Sequence, residues 1–128
     1  MKTKLVTFIF LIIIQFSCVQ KEHQKEVTFI VDVSQVENVE SVGLRGQFTS
    51  PPWQVTIPLS KGEKNGSYRV TLMETTAQNQ VEFKFVVNED EFELKDQPDR
   101  IITFSYQPEE IVYEATFNNK DGKQTIIP

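Results

Sequence analysis

One histidine, one cysteine and one tryptophan are the residues of this sequence whose chemistry no second copy could share. His23 lies in the polar stretch VQKEHQKE, ahead of the first alternating run. No Ser–His pair is therefore expected on a folded body, which rules out most imidazole-based catalysis. Glu89, Asp90, Glu91 and Glu93 crowd together, and paired carboxylates can do acid–base work. Between two apolar runs, however, the same cluster reads as a solvated hairpin tip. It lacks the spaced D-x-D-x-D-G pattern of a calcium loop, and Lys61-Gly62-Glu63-Lys64 is no phosphate-binding loop. A single Cys allows neither an internal disulfide nor a thiolate metal cluster. Asn65-Gly66-Ser67 has the form of a glycosylation acceptor but reads as a turn. These residues predict no catalytic group, no metal and no cofactor.

Trp53 carries more information. It follows the loop TSPP, which should leave it near the surface. A surface-proximal Trp either caps one end of a core or offers a flat apolar face to a ligand. Other aromatics are core by default: Phe29, Phe83, Phe85 and Phe117 fall on the apolar phase of alternating runs.

Those runs must position everything else. From Glu26 onward the dominant period is two, in VTFIVDV, VGLRGQF, WQVTIPLS, SYRVTLM, VEFKFVV and IVYEATF. Val27, Phe29, Val31 and Val33 share one face, as do Val55, Ile57 and Leu59, whereas Arg45, Glu82 and Lys84 point the other way. EFEL and IITFSY are weaker runs that add strands. Asn65-Gly66 supplies turn chemistry, and Pro51, Pro52, Pro98 and Pro108 fall between runs, where a missing N–H costs nothing. No stretch carries a helical stripe. The expectation is an all-β, immunoglobulin-like antiparallel β-sandwich of seven to eight strands over residues 26–118, with a flexible tail at 119–128.

The chain has 128 residues, 39% apolar and 24% charged, as a globular domain does. Met1 to Cys18 reads MKTKLVTFIFLIIIQFSC: two lysines, an apolar run from Leu5 to Ile14, and the small Ser17 before the sole cysteine. That is a secretory signal, too short for a membrane span of about 20 apolar residues. Residues 1–17 are read as a lipoprotein signal peptide, Cys18 as the acylated first residue, and 18–25 as a polar tether. Gln15 stands where such signals usually carry Leu; the alternative is a signal cleaved elsewhere with Cys18 incidental. The resulting location is the bacterial cell envelope, at the periplasmic face or outer surface. Net charge is −5, and −7 once Lys2 and Lys4 leave with the signal, which argues against nucleic acid as a partner.

The order of these pieces resembles the family-20 starch-binding domain and the related glycogen-binding domain of AMP-activated protein kinase. The likeness runs from Val27 to Phe117: VTFIVDV as opening strand, VGLRGQFTSPPW as a glycine-containing strand with its Trp loop, then IPLS, SYRVTL, VEFKFVV with its aromatic-Lys-Phe triplet, FELKDQPDR and EATF. In that family two rings stack on neighbouring glucose units while a lysine and an asparagine bond the hydroxyls. The resemblance implies Trp53 as the first ring, Lys84 as the lysine and Asp99 at the asparagine position. The second ring falls on Leu94, with Phe92 two residues earlier as a substitute. It implies a non-catalytic module with a polysaccharide of the α-glucan class as partner. The alternative is a protein-interaction module at the cell surface that has lost sugar binding, using Leu94, Phe92 and Trp53 as an apolar patch.

If Cys18 carries the anchor, the protein partitions into detergent on phase separation and Cys18→Ser partitions into water. Equal partitioning of the two would refute acylation at Cys18.

Overall fold

The computed structural model describes residues 20–128, so residues 1–17 and Cys18 lie outside the described residues. Ten strands form: β1 (His23–Asp32), β2 (Val42–Gly46), β3 (Ile57–Pro58), β4 (Ser60–Lys61), β5 (Ser67–Thr76), β6 (Gln80–Val87), β7 (Glu91–Phe92), β8 (Arg100–Thr103), β9 (Glu109–Thr116) and β10 (Gly122–Ile127). They make a two-sheet, all-β sandwich. One sheet runs β10-β9-β1-β5-β4 and the other β3-β2-β6-β7, with β8 also paired to β6. β7 and β8 share one edge of β6, at Val86–Val87 and at Gln80–Phe83 respectively.

Alternation does what it should in the long strands. Val27, Phe29, Val31, Val42, Leu44, Val81, Phe83, Phe85, Ile111 and Phe117 are buried between the sheets. Phe83 is the hub: its ring meets Phe29, Phe85 and Tyr113 edge-on at 5.0, 5.6 and 5.0 Å. Each such pair adds about 1 kcal/mol beyond the area it buries. Phe29 and Tyr113 come from the opposite sheet, so these contacts fasten the layers together.

Five sequence expectations change. The sandwich has ten strands, three of them only two residues long. It is not wholly antiparallel, because β9 runs parallel to β1 from Lys25↔Glu109 to Asp32↔Thr116. Alternation reports which side a residue faces and is silent on strand direction. Val55 does not continue an inner face; it lies in a loop, 41% exposed, before the short β3. Residues 119–128 are not a loose tail, and 18–25 is not all tether. β10 pairs with β9, and the Gln124 side chain crosses to the other sheet, bonding the N–H of Thr103 at 3.1 Å and its carbonyl at 2.7 Å. At the other terminus β1 begins at His23. Lys25 is buried and bonds Glu109 and the Ser105 carbonyl at 2.6 Å each, with the Gln107 carbonyl as a third acceptor. A polar residue with an internal partner looks, in sequence, like one in water.

The second buried ion pair organises the segment that follows β7. Glu93 and Arg100 flank the 94–99 loop and meet inside the protein, Nε to Oε2 at 2.7 Å and Nη2 to Oε1 at 2.8 Å. The remaining capacity of both is used. Glu93 accepts the N–H of Phe85 at 2.9 Å and of Asn118 at 3.2 Å, while Arg100 reaches the carbonyls of Thr116 and Asn119. Burial alone would lower the Arg100 guanidinium, but the hydrogen bonds and charge of Glu93 outweigh it and hold it above its ordinary value.

Removing one partner strands the other charge in a dry site. Arg100→Met is expected to lower unfolding free energy in urea by about 3–5 kcal/mol, with most of the loss recovered in Glu93→Leu/Arg100→Met. A single-variant loss below about 1 kcal/mol would show the pair is solvated.

Candidate binding face

The side chains of β2 and β6 that alternate away from the core lie on the outer surface of the smaller sheet. Register sets their neighbours: Arg45 is opposite Lys84, Gly43 opposite Val86, and Val86 opposite Phe92. Gly43 is required there, since a Cβ would stand 2.2 Å from the Thr56 methyl. Its absence lets Thr56 fold down, and Arg45 Nε then donates to Thr56 Oγ1 at 2.8 Å. Arg45 Nη2 donates to the Glu89 carbonyl at 2.8 Å, and the guanidinium carbon sits 5.2 Å from the Phe92 ring centroid. Two of its five donors are thereby used, and the ring holds the plane in place.

Lys84 lies across from Arg45, in the same row, on β6. Its ammonium donates to the carbonyls of Leu94 at 3.0 Å and Gln97 at 3.2 Å, and stands 3.6 Å from Asp99 Oδ1. Lys84 is thus a strut for the 94–99 loop as well as a surface cation. The Asp99 side chain remains 34% exposed, so an acceptor oxygen faces outward. Lys84, Asp99 and Phe92 are brought onto one side of the sheet.

Trp53 is placed by its loop. Its N–H donates to the Gly46 carbonyl at 2.9 Å and to Thr49 Oγ1 at 2.8 Å, which ties it to the last residue of β2. The buried Thr49 hydroxyl also lies 2.9 Å from the carbonyls of Gly46 and Pro51, and the Ser50–Pro51 bond is cis. Trp53 adopts φ of 66°, a left-handed conformation that costs a bulky residue roughly 1–3 kcal/mol and persists only where the surroundings impose it. The residue is half-buried. It is neither sealed in the core nor fully displayed.

Leu94 departs from the expectation. It is 2% exposed with φ of 51°, and its N–H is fixed by Asn118 Oδ1 at 2.9 Å. The side chain points in, so neither a second stacking position nor the proposed patch of Leu94, Phe92 and Trp53 exists at this place. The carboxylate cluster also divides: Glu93 is consumed by Arg100, and Glu89, Asp90 and Glu91 alone stay exposed on the hairpin. His23 stands on β1, where its ring meets the edge of Tyr106 at 4.6 Å.

Arg45 was visible in the sequence only as one more outward residue; its pairing with Lys84 and Phe92 needs a register that alternation does not supply. Gln47 is a second such residue, its side-chain amide bonding the N–H of Glu82 at 3.0 Å and reaching the Glu82 carboxylate at 3.3 Å.

No protein-family model matches the chain, and no curated protein does. The likeness to family-20 modules therefore rests on the residues quoted for it. Among solved structures, the chain is similar to the CBM25-2 module of a beta/alpha-amylase from Paenibacillus polymyxa, with a TM-score of 0.46 and 13% identity, over 83% of this chain and 95% of that module.

Proposed function

We propose that this chain is a non-catalytic binding module that takes an α-glucan or similar polysaccharide, weakly, on the outer surface of the smaller sheet. The observation that carries the reading is the assembly of Lys84, Asp99, Arg45 and Phe92 on one face, with the Trp53 backbone tied to Gly46, the last residue of β2. Sugar rings have apolar faces and hydroxyl rims, so they ask for a planar ring next to fixed donors and acceptors. In this reading Trp53 stacks, Asp99 accepts, and Arg45 and Lys84 donate. Cys18 carries the lipid that holds the module on the bacterial envelope.

Magnitudes set the affinity. One indole face burying roughly 100 Å² contributes about 2–3 kcal/mol. Two or three hydrogen bonds at about 1 kcal/mol each bring the total to about 5 kcal/mol. Millimolar binding already needs about 4 kcal/mol. Many anchored copies facing one polymer raise the effective affinity without new contacts.

A second reading, a module that has turned to a surface protein as its partner, is favoured by the inward Leu94 and by the two backbone carbonyls that occupy Lys84. Electrophoresis in gels with and without glycogen separates the two. The first reading expects slower migration in glycogen, and a roughly thirtyfold weaker retardation for Trp53→Ala, the factor that about 2 kcal/mol represents. Equal mobility of the unaltered protein in both gels, or undiminished retardation of Trp53→Ala, would overturn it.

A further inference from the structure

The sheets part at the end where β1 begins and β5 ends, beside the loop after β2 that carries Trp53. A cavity of about 310 Å³ lies between them. Val27, Phe29, Leu72 and Val81 line it, with the half-buried rings of Phe48 and Phe104. The volume falls at the small end of the range for ligand pockets.

Its polar lining decides what it can hold. Lys25 faces the cavity, but its ammonium is spent on Glu109 and the carbonyls of Ser105 and Gln107. Gln47 is spent on Glu82, and the Thr49 hydroxyl on the backbone of its own loop. A sugar placed against the inner wall would bury hydroxyls opposite Lys25 and Thr49, whose bonds are already made, at a cost for each one. An apolar body meets no such cost. Two lining side chains, Glu74 and Gln78, have no hydrogen-bond or ion-pair partner among the described residues; of the two only Glu74 is charged, and a carboxylate is an acceptor only.

We propose that this inter-sheet cavity is a binding site for a small cationic amphiphile, whose alkyl or aryl body packs between the sheets while its ammonium group meets Glu74. The site shares the loop whose Thr49 hydroxyl holds the Trp53 N–H, but the proposal does not rest on the polysaccharide reading. Charge complementarity fixes the orientation, and the internally satisfied Lys25, Gln47 and Thr49 keep the body's surroundings effectively apolar.

Titration with octylammonium and, separately, octanoate, followed through the methyl resonances of Val27, Leu72 and Val81, tests the proposal. Octylammonium is expected to give saturable shifts and to bind about tenfold tighter than octanoate, the combined effect of an attraction gained and a repulsion avoided. Glu74→Gln, a change at an exposed residue, is expected to bring the two affinities together. Leu72→Phe, which fills the space, is expected to weaken both ligands alike. Unmoved methyls in the unaltered protein, equal affinity for the two ligands, or a preference that survives Glu74→Gln would each overturn the proposal.

Discussion

A buried carboxylate and a buried guanidinium, Glu93 and Arg100, lock together the segment after β7, β8, β6 and the turn after β9. Through Glu93 Oε2 the pair reaches the backbone of β6, through Oε1 the turn after β9, and through Arg100 the carbonyls of Thr116 and Asn119. Charges taken out of water are worth keeping only when every donor and acceptor is satisfied, and here nearly every one is. The segment between these residues, 94–99, is closed at its base by this pair and propped at its centre by Lys84. The half-exposed Asp99, the inward Leu94 and the placement of Phe92 all depend on that closure.

A second buried pair lies at the opposite end of the sandwich, less completely satisfied, since Glu109 Oε2 has no hydrogen-bond partner among the described residues. Lys25 and Glu109, neighbours across the parallel β1–β9 pair, meet at 2.6 Å, and the Ser105 N–H donates to the same Glu109 oxygen at 2.7 Å. Phe104 lies 5.2 Å from the Lys25 ammonium. Two desolvated ion pairs thus flank a core centred on Phe83, and each fastens a loop to the strands beneath it. One loop borders the proposed polysaccharide face; the other borders the inter-sheet cavity. A polar residue of the framework is in this way made a wall of each candidate site.

What the sequence made legible followed from periodicity. VTFIVDV, VEFKFVV and IVYEATF each gave their inner faces correctly because the sheet repeat is two residues and one side is dry. Asp99 and Lys84 were named through the resemblance to starch-binding modules, and the fold brings them to 3.6 Å. Arg100 and Glu93 were not legible as core: a charged side chain reads as solvated unless its partner is known, and the partner is seven residues away across an irregular loop. Leu94 was placed at the second ring position by the family resemblance, and the left-handed backbone that turns it inward leaves no mark in the alternation. β10 was missed because Lys123, Gln124 and Thr125 are polar, although Gln124 is the residue that closes the sandwich.

The most direct test of the framework is amide hydrogen exchange at Phe85 and Asn118, the two N–H groups bound by Glu93. If the buried pair is the constraint described, both amides exchange only when the whole domain unfolds, at the rate of the Phe29 amide in the centre of β1. Exchange of Phe85 and Asn118 orders of magnitude faster than Phe29 would show that the Glu93–Arg100 cluster opens on its own, and that the 94–99 loop is not held by it.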